Sequence, residues 1–136
     1  MITDGGYMSI LLKQTWQNNP MTTLYGIPNC DTVKKARVWL SEHGQAYQFH
    51  DFKKHGVPEA ALDAWLSALG WETVLNRKGS TWRALDDAAK AAVTDTHSAR
   101  AVMLAHPSTI KRPVVQWADG GVSVGFSAES FAARLP

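Results

Sequence analysis

The spacing of apolar positions changes character near residue 21. Before it, one short apolar cluster, Met8 to Leu12 with Ser9 inside it, is set in Gly-, Asn- and Gln-rich sequence. After it, apolar residues recur with regular periods. This contrast predicts an extension over residues 1–20, either disordered or foreign to the native chain, ahead of a single domain over 21–136. Thr22 to Gly26 is a short β-type run, followed by the loop Ile27-Pro28-Asn29-Cys30. Val33, Ala36 and Leu40 then stand at helical spacing, with Asp31 or Thr32 as the predicted cap and Gly44 as the stop. Ala46 to His50 alternates through Tyr47 and Phe49 and predicts a second strand. A β-α-β unit of this kind implies parallel strands joined by a right-handed crossover.

The middle of the chain, Pro58 to His106, is helical in pattern. Pro58 is placed at a first helical position before Ala60, Ala61, Leu62, Trp65, Leu66 and Leu69, and Gly70 ends that helix. Asn76 to Ser80 forms a polar connection. Helices are predicted again over Leu85 to Val93 and Ser98 to Ala105, with Pro107 as the terminator. Pro113 to Trp117 and Val122 to Gly125 are β runs around Asp119-Gly120-Gly121, a hairpin signal, and Ser127 caps a last helix through Phe131 to Leu135. The order β-α-β, helices, β-β-α predicts an α/β chain with a thioredoxin-like fold, a mixed sheet and a helical insertion.

Composition narrows the function classes. The chain has 136 residues, enough for one domain and one core; 45% are apolar and 19% charged. A net charge of +2 marks no dedicated basic stripe, so direct nucleic-acid binding is not expected. No apolar run approaches the ~18–20 residues needed to cross a bilayer, so no membrane association is expected. The five histidines show no zinc spacing with the cysteine, and no metal is expected. Trp39 and Trp65, two of the six tryptophans, fit helix packing. Phosphate-cradling, dinucleotide-binding and serine-hydrolase motifs are absent. The single cysteine, Cys30, excludes an internally stapled fold and favours a reducing compartment, the cytoplasm.

Cys30 stands after a strand and at the start of a helix. Free N–H groups and the positive end of the helix dipole stabilise a thiolate over a thiol there. Lys34 and Lys35, one turn further in, oppose that dipole and add positive charge beside the thiol. A local rule broken next to a nucleophile points to function.

The stretch Leu24-Tyr25-Gly26-Ile27-Pro28-Asn29-Cys30-Asp31-Thr32-Val33-Lys34-Lys35-Ala36 resembles the active-site loop of the arsenate-reductase-like family, which includes the Spx regulators. Three further segments are similar in order and spacing: Asn76 to Arg83, Ile110 to Val115, and Val124 to Ser127. The resemblance runs from Met21 to the C-terminus and is nearest the short bacterial proteins proposed to be glutathione-dependent thiol reductases. It implies that Cys30 is the catalytic nucleophile. It implies that Arg77 and Arg112 hold an oxyanion or carboxylate and that Pro113 is a cis proline facing the thiol; with Asn29 and Lys34 beside Cys30 these residues make up the candidate substrate-binding set.

Two positions depart from the arsenate reductases. Gly26 stands where they carry a histidine, and Gly125 where they carry a third arginine, which argues against arsenate as the substrate. Val33 occupies the place of the second cysteine of the Spx switch. A lone thiol needs another molecule's thiol to resolve it. The expectation is therefore a monothiol oxidoreductase with no bound cofactor. Its co-substrate would be glutathione or another small thiol, with glutaredoxin as a further partner. The alternatives are an Spx-like regulator that docks on RNA polymerase, or a weak arsenate reductase.

Overall fold

A computed structural model describes residues 21–135; the extension expected over 1–20 lies outside the described residues. Strands β1 (Thr23–Gly26), β2 (Gln48–Asp51), β3 (Val114–Gln116) and β4 (Val122–Val124) form one mixed sheet in the order β2-β1-β3-β4. β1 pairs in parallel with β2, and β3 runs antiparallel to both β1 and β4. Helix α1 (Asp31–Glu42) is the crossover between β1 and β2. The insertion contains α2 (Phe52–His55), α3 (Glu59–Leu69), α4 (Trp71–Val74), α5 (Ser80–Ala84), α6 (Asp87–Ala91) and α7 (Thr96–Ala105), then a 3-10 turn over Pro107–Thr109. Helix α8 (Ala128–Ala132) closes the chain. This is the thioredoxin-like α/β fold with a mixed sheet and a helical insertion.

Strand alternation divides the core into two halves, because successive side chains point to opposite faces. Leu24 and Val115 pack beneath α1 and α8 with Val33, Ala36, Trp39, Leu40, Trp117 and Phe131. Tyr25 and Val114 face the insertion, against Phe52, Leu62, Trp65, Met103 and Ile110 among others. Trp82 and Trp117 are both buried. The Tyr25 hydroxyl donates to Gln116 Oε1, and burial holds its phenol above the usual tyrosine range. No helix among the described residues is long and apolar enough to cross a membrane.

Several boundaries differ from the sequence expectation. The cap of α1 is Cys30 rather than Asp31 or Thr32; its backbone is extended (φ −103°, ψ 124°) and its side chain makes no capping bond. β2 begins two residues later and ends one residue later than Ala46–His50 because pairing to β1 sets its register, with Phe49 opposite Leu24 and Asp51 opposite Gly26. Pro58 caps α3 instead of opening it, since its ψ of 121° is extended. Ser80 belongs to α5 rather than to a polar connection, and the helix expected over Leu85–Val93 shortens to α6, where Asp86 accepts from the Ala89 N–H at 2.7 Å. Helix α7 begins at Thr96, two residues before the expected Ser98, because Asp95 and Ser98 form a capping box. Pro107 opens a turn as well as ending a helix. Ser127 caps α8 as expected, with Ser130 completing a capping box.

Phe131 pins the α1 half of the core. It is fully buried, with its ring edge-to-face against Trp39, Trp117 and Phe126 at 5.6, 4.9 and 4.7 Å. Phe131→Ala is expected to cost about 3–5 kcal/mol in urea unfolding, through lost burial and the cavity left behind. A loss below about 1 kcal/mol, the size of an average substitution, would show that α8 is peripheral to the core.

Candidate active site

The site is assembled where β1 ends. Ile27 leads from the strand into a turn at Pro28 and exposed Asn29, and Cys30 follows as the residue before the first turn of α1. The first helical bond runs from the Lys34 N–H to the Cys30 carbonyl at 2.9 Å. The N–H groups of Asp31, Thr32 and Val33 therefore lie ahead of the helical ladder, on the side of the cysteine. Cys30 is half-buried and packs against the α1 half of the core, together with Phe126. Burial on one side with an open N-terminal end on the other leaves the sulfur reachable in a positive local field. Lys34 is exposed one turn further along.

Register brings Arg112 and Pro113 to the same end of the sheet. Tyr25 pairs with Val114 in the antiparallel β1–β3 ladder, so continuing the ladder by one step sets Pro113 opposite Gly26. The Arg112–Pro113 peptide bond is cis, and Pro113 is buried. On its far side the Pro113 carbonyl accepts from the Gly125 N–H at 2.9 Å, and Phe126 follows. Gly26, Pro113 and Gly125 thus form a row across three strands, at the end of the sheet from which the Cys30 loop emerges.

Arg112 is half-buried and turns back along its own segment, with Nη1 donating to the Ser108 carbonyl at 3.3 Å. Its Nε is buried and has no hydrogen-bond partner among the described residues. Leaving such a donor unpaired costs about 1–3 kcal/mol.

Arg77 reaches this region through backbone pairing and not through its side chain. Leu75 bridges Ile110, the Asn76 N–H donates to the Thr109 carbonyl at 2.7 Å, and the Lys111 N–H donates to the Val74 carbonyl at 2.8 Å. These bonds hold the Arg77 segment beside the Arg112 segment. The Arg77 guanidinium is exposed, 3.5 Å from Glu72 and 5.4 Å from the Trp71 ring. An exposed pair of this length is weak and leaves the arginine available to exchange partners. The structure thus gathers Asn29, Cys30, Arg112 and Pro113 at one end of the sheet, places Lys34 one turn along α1, and anchors Arg77 on the neighbouring segment. Among the described residues no group of three or more His, Cys, Asp or Glu is arranged to hold a metal.

Both glycine departures have a backbone or packing cause. A Cβ on Gly26 would lie 2.7 Å from Val33 Cγ2, and Val33 is fully buried. A larger residue at 26 therefore requires a different residue at 33. Gly125 has φ +80°, a region that side-chain-bearing residues rarely adopt. Arg37 belongs to the surface beside this site and escaped the sequence reading; its Nε donates to the Tyr47 hydroxyl at 3.0 Å, and its guanidinium lies 4.1 Å from the Phe49 ring centre. The signal available in sequence was its spacing, three residues after Lys34.

Gly26→Ala is expected to destabilise the protein by about 1–3 kcal/mol through overpacking. Because the clash is with Val33, the Gly26→Ala/Val33→Ala double variant should lose about 0.5–3 kcal/mol less than the sum of the single losses. Strict additivity in urea denaturation would show that α1 is not seated on β1 at this contact.

Comparison with known proteins agrees with this architecture. The ArsC family model matches residues 25–134. A protein of Haemophilus influenzae without an assigned role is 37% identical over 115 residues, covering 85% of this chain and 99% of its own. The solved structure of the YffB protein is 50% identical and superposes with a TM-score of 0.80 over 85% of this chain and 100% of that one. The global transcriptional regulator Spx of Streptococcus mutans is 26% identical over 119 residues, covering 85% of this chain and 84% of its own. With its family model spanning strand, cysteine loop, insertion and final helix, the chain belongs to the ArsC family.

Proposed function

We propose that this protein is a monothiol oxidoreductase that uses glutathione to reduce disulfides through Cys30. The observation that carries this reading is that Cys30, at the α1 start, and Arg112, whose buried Nε lacks a partner among the described residues, stand at the same end of the sheet. The Cys30 thiolate attacks the glutathionyl sulfur of a mixed disulfide; the substrate leaves as a thiolate and takes up a proton, and Cys30 is left bonded to glutathione. A second glutathione thiolate attacks that bond, releasing glutathione disulfide and regenerating the Cys30 thiolate. One disulfide bond is broken at the substrate and one is formed between the two glutathiones, so the substrate sulfur is reduced as the second glutathione's is oxidised, and no second protein cysteine is needed. In this reading Asn29 and Pro113 contact the bound substrate, Arg112 holds a glutathione carboxylate, and Arg77 and Lys34 hold a second anionic group. Gly26 and Gly125 leave an arsenate oxyanion fewer donors here than a histidine and an arginine would supply.

The match to Spx favours a second reading, a regulator that docks on RNA polymerase without turnover. Val33 in place of a second cysteine argues against an intrachain redox switch.

Turnover with hydroxyethyl disulfide and glutathione, coupled to glutathione reductase, tests the proposal. Cys30→Ser is expected to abolish activity. Arg112→Ala should raise the KM for glutathione by about ten- to a hundredfold, the worth of one charge-assisted contact. No turnover by the wild type, together with retention on immobilised RNA polymerase α subunit, would favour the regulator.

A further inference from the structure

Beyond Lys34, helix α1 carries a surface that thiol chemistry at Cys30 does not require. Lys34, Arg37, Val38 and Ser41 fall at helical spacing along one stripe. With Glu42 and Tyr47 they line an open groove of about 390 Å³. The groove begins one turn from Cys30. Val38, at its centre, is 54% exposed, and only Met21 joins it as a large exposed apolar residue among the described residues.

The groove is cationic at its thiol end and acidic at its far end. Lys34, Lys35 and Arg37 make no ion pair with any described residue. Arg37 is also held in place, since the Tyr47 hydroxyl accepts from its Nε at 3.0 Å and Phe49 lies under its guanidinium plane. Its two terminal amino groups make no hydrogen bond with any described residue, so the fork is oriented before any anion arrives. A surface cation normally loses side-chain entropy when it binds an anion; here part of that loss is already met by packing. The guanidinium already lies over both rings beside the groove, 4.1 Å from the Phe49 centre and 6.0 Å from the Tyr47 centre, so a base would have to displace it to stack. Fixed cations beside an exposed aliphatic side chain suit a polypeptide that carries carboxylates and apolar side chains in alternation.

We propose that this groove binds an acidic polypeptide segment flanking the cysteine whose disulfide Cys30 attacks, so that the substrates are protein disulfides set among acidic residues. The choice of substrate rests on the thiol–disulfide reading above, whereas binding to the groove does not. Helix rise sets the register. Arg37 lies seven residues beyond Cys30, or about 10 Å along the axis. An extended strand covers that distance in about three residues. The preferred carboxylates therefore stand two or three positions from the substrate cysteine.

Fluorescence anisotropy with labelled octapeptides, in which serine replaces the substrate cysteine, measures binding without chemistry. Two glutamates at the second and third positions from the serine are expected to give about tenfold tighter binding than two lysines at low salt. Arg37→Gln, or Val38→Glu at an exposed position that leaves the core untouched, should reduce that ratio to about threefold or less. Equal affinity for the two peptides would overturn the proposal, as would an unchanged ratio in both variants or stronger binding of a single-stranded oligonucleotide of the same charge. The same sequences as glutathionyl disulfides separate the two claims. A binding preference without turnover contradicts the redox reading alone, and turnover without preference contradicts the groove alone.

Discussion

The close approach of Val33 to Gly26 is the constraint on which the site depends. α1 can start directly over the end of β1 only because residue 26 has no side chain to fill the space taken by the Val33 methyl group. With that contact made, the cysteine loop must close within four residues, and Cys30 becomes the helix cap. β1 is an interior strand, paired to β2 on one side and β3 on the other. The position of α1 is thereby transmitted to Pro113, which continues the β3 ladder opposite Gly26. With Val33 unchanged, a bulkier residue 26 would press on its buried methyl group and shift the start of the helix that carries the thiol.

The helical insertion serves the same end from the other face of the sheet. Tyr25 and Val114 bury themselves against it, and the chain returns to β3 through the bridge from Leu75 to Ile110. That bridge stiffens the approach to the cis bond and sets Arg112 where its Nη1 reaches the Ser108 carbonyl. The thiol thus comes from one half of the fold and the guanidinium from a segment braced by the other. Sites built on packed elements hold their geometry better than sites on free loops. Of the two arginines that the family pattern supplies, Arg112 has the fixed setting and Arg77 the exposed one.

Much of the fold was legible because strong local signals agreed with one another. The alternation at Tyr47 and Phe49, the helical spacing of Val33, Ala36 and Leu40, the turn at Asp119-Gly120-Gly121 and the Ser127 cap each identify their element without long-range information. What escaped depended on partners distant in sequence. The shift of β2 follows from its pairing with β1, and Tyr47 is left outside the strand to accept from Arg37. The cap of α1 is a cysteine, a poor capping residue, placed there by tertiary packing against a stronger local preference for Asp31 or Thr32. The place of Cys30 at the start of α1 and the cis Arg112–Pro113 bond were readable from their motifs. The orientation of Arg37 was not, since a helix-surface arginine reads as solvated until the aromatic residues beside it are placed.

The proposed function requires that the fold itself make Cys30 a good nucleophile toward disulfides. The most direct measurement is the rate at which glutathione disulfide converts Cys30 to its mixed disulfide, followed by intact mass, in the native protein and in the same protein unfolded by urea. Folding supplies the helix start, Lys34 and the Arg112 anion contact, so the native rate is predicted to exceed the unfolded rate by about tenfold or more, the effect of roughly 1.4 kcal/mol on the barrier. A native rate equal to or below the unfolded rate would mean that Cys30 is a packing residue and not a redox nucleophile.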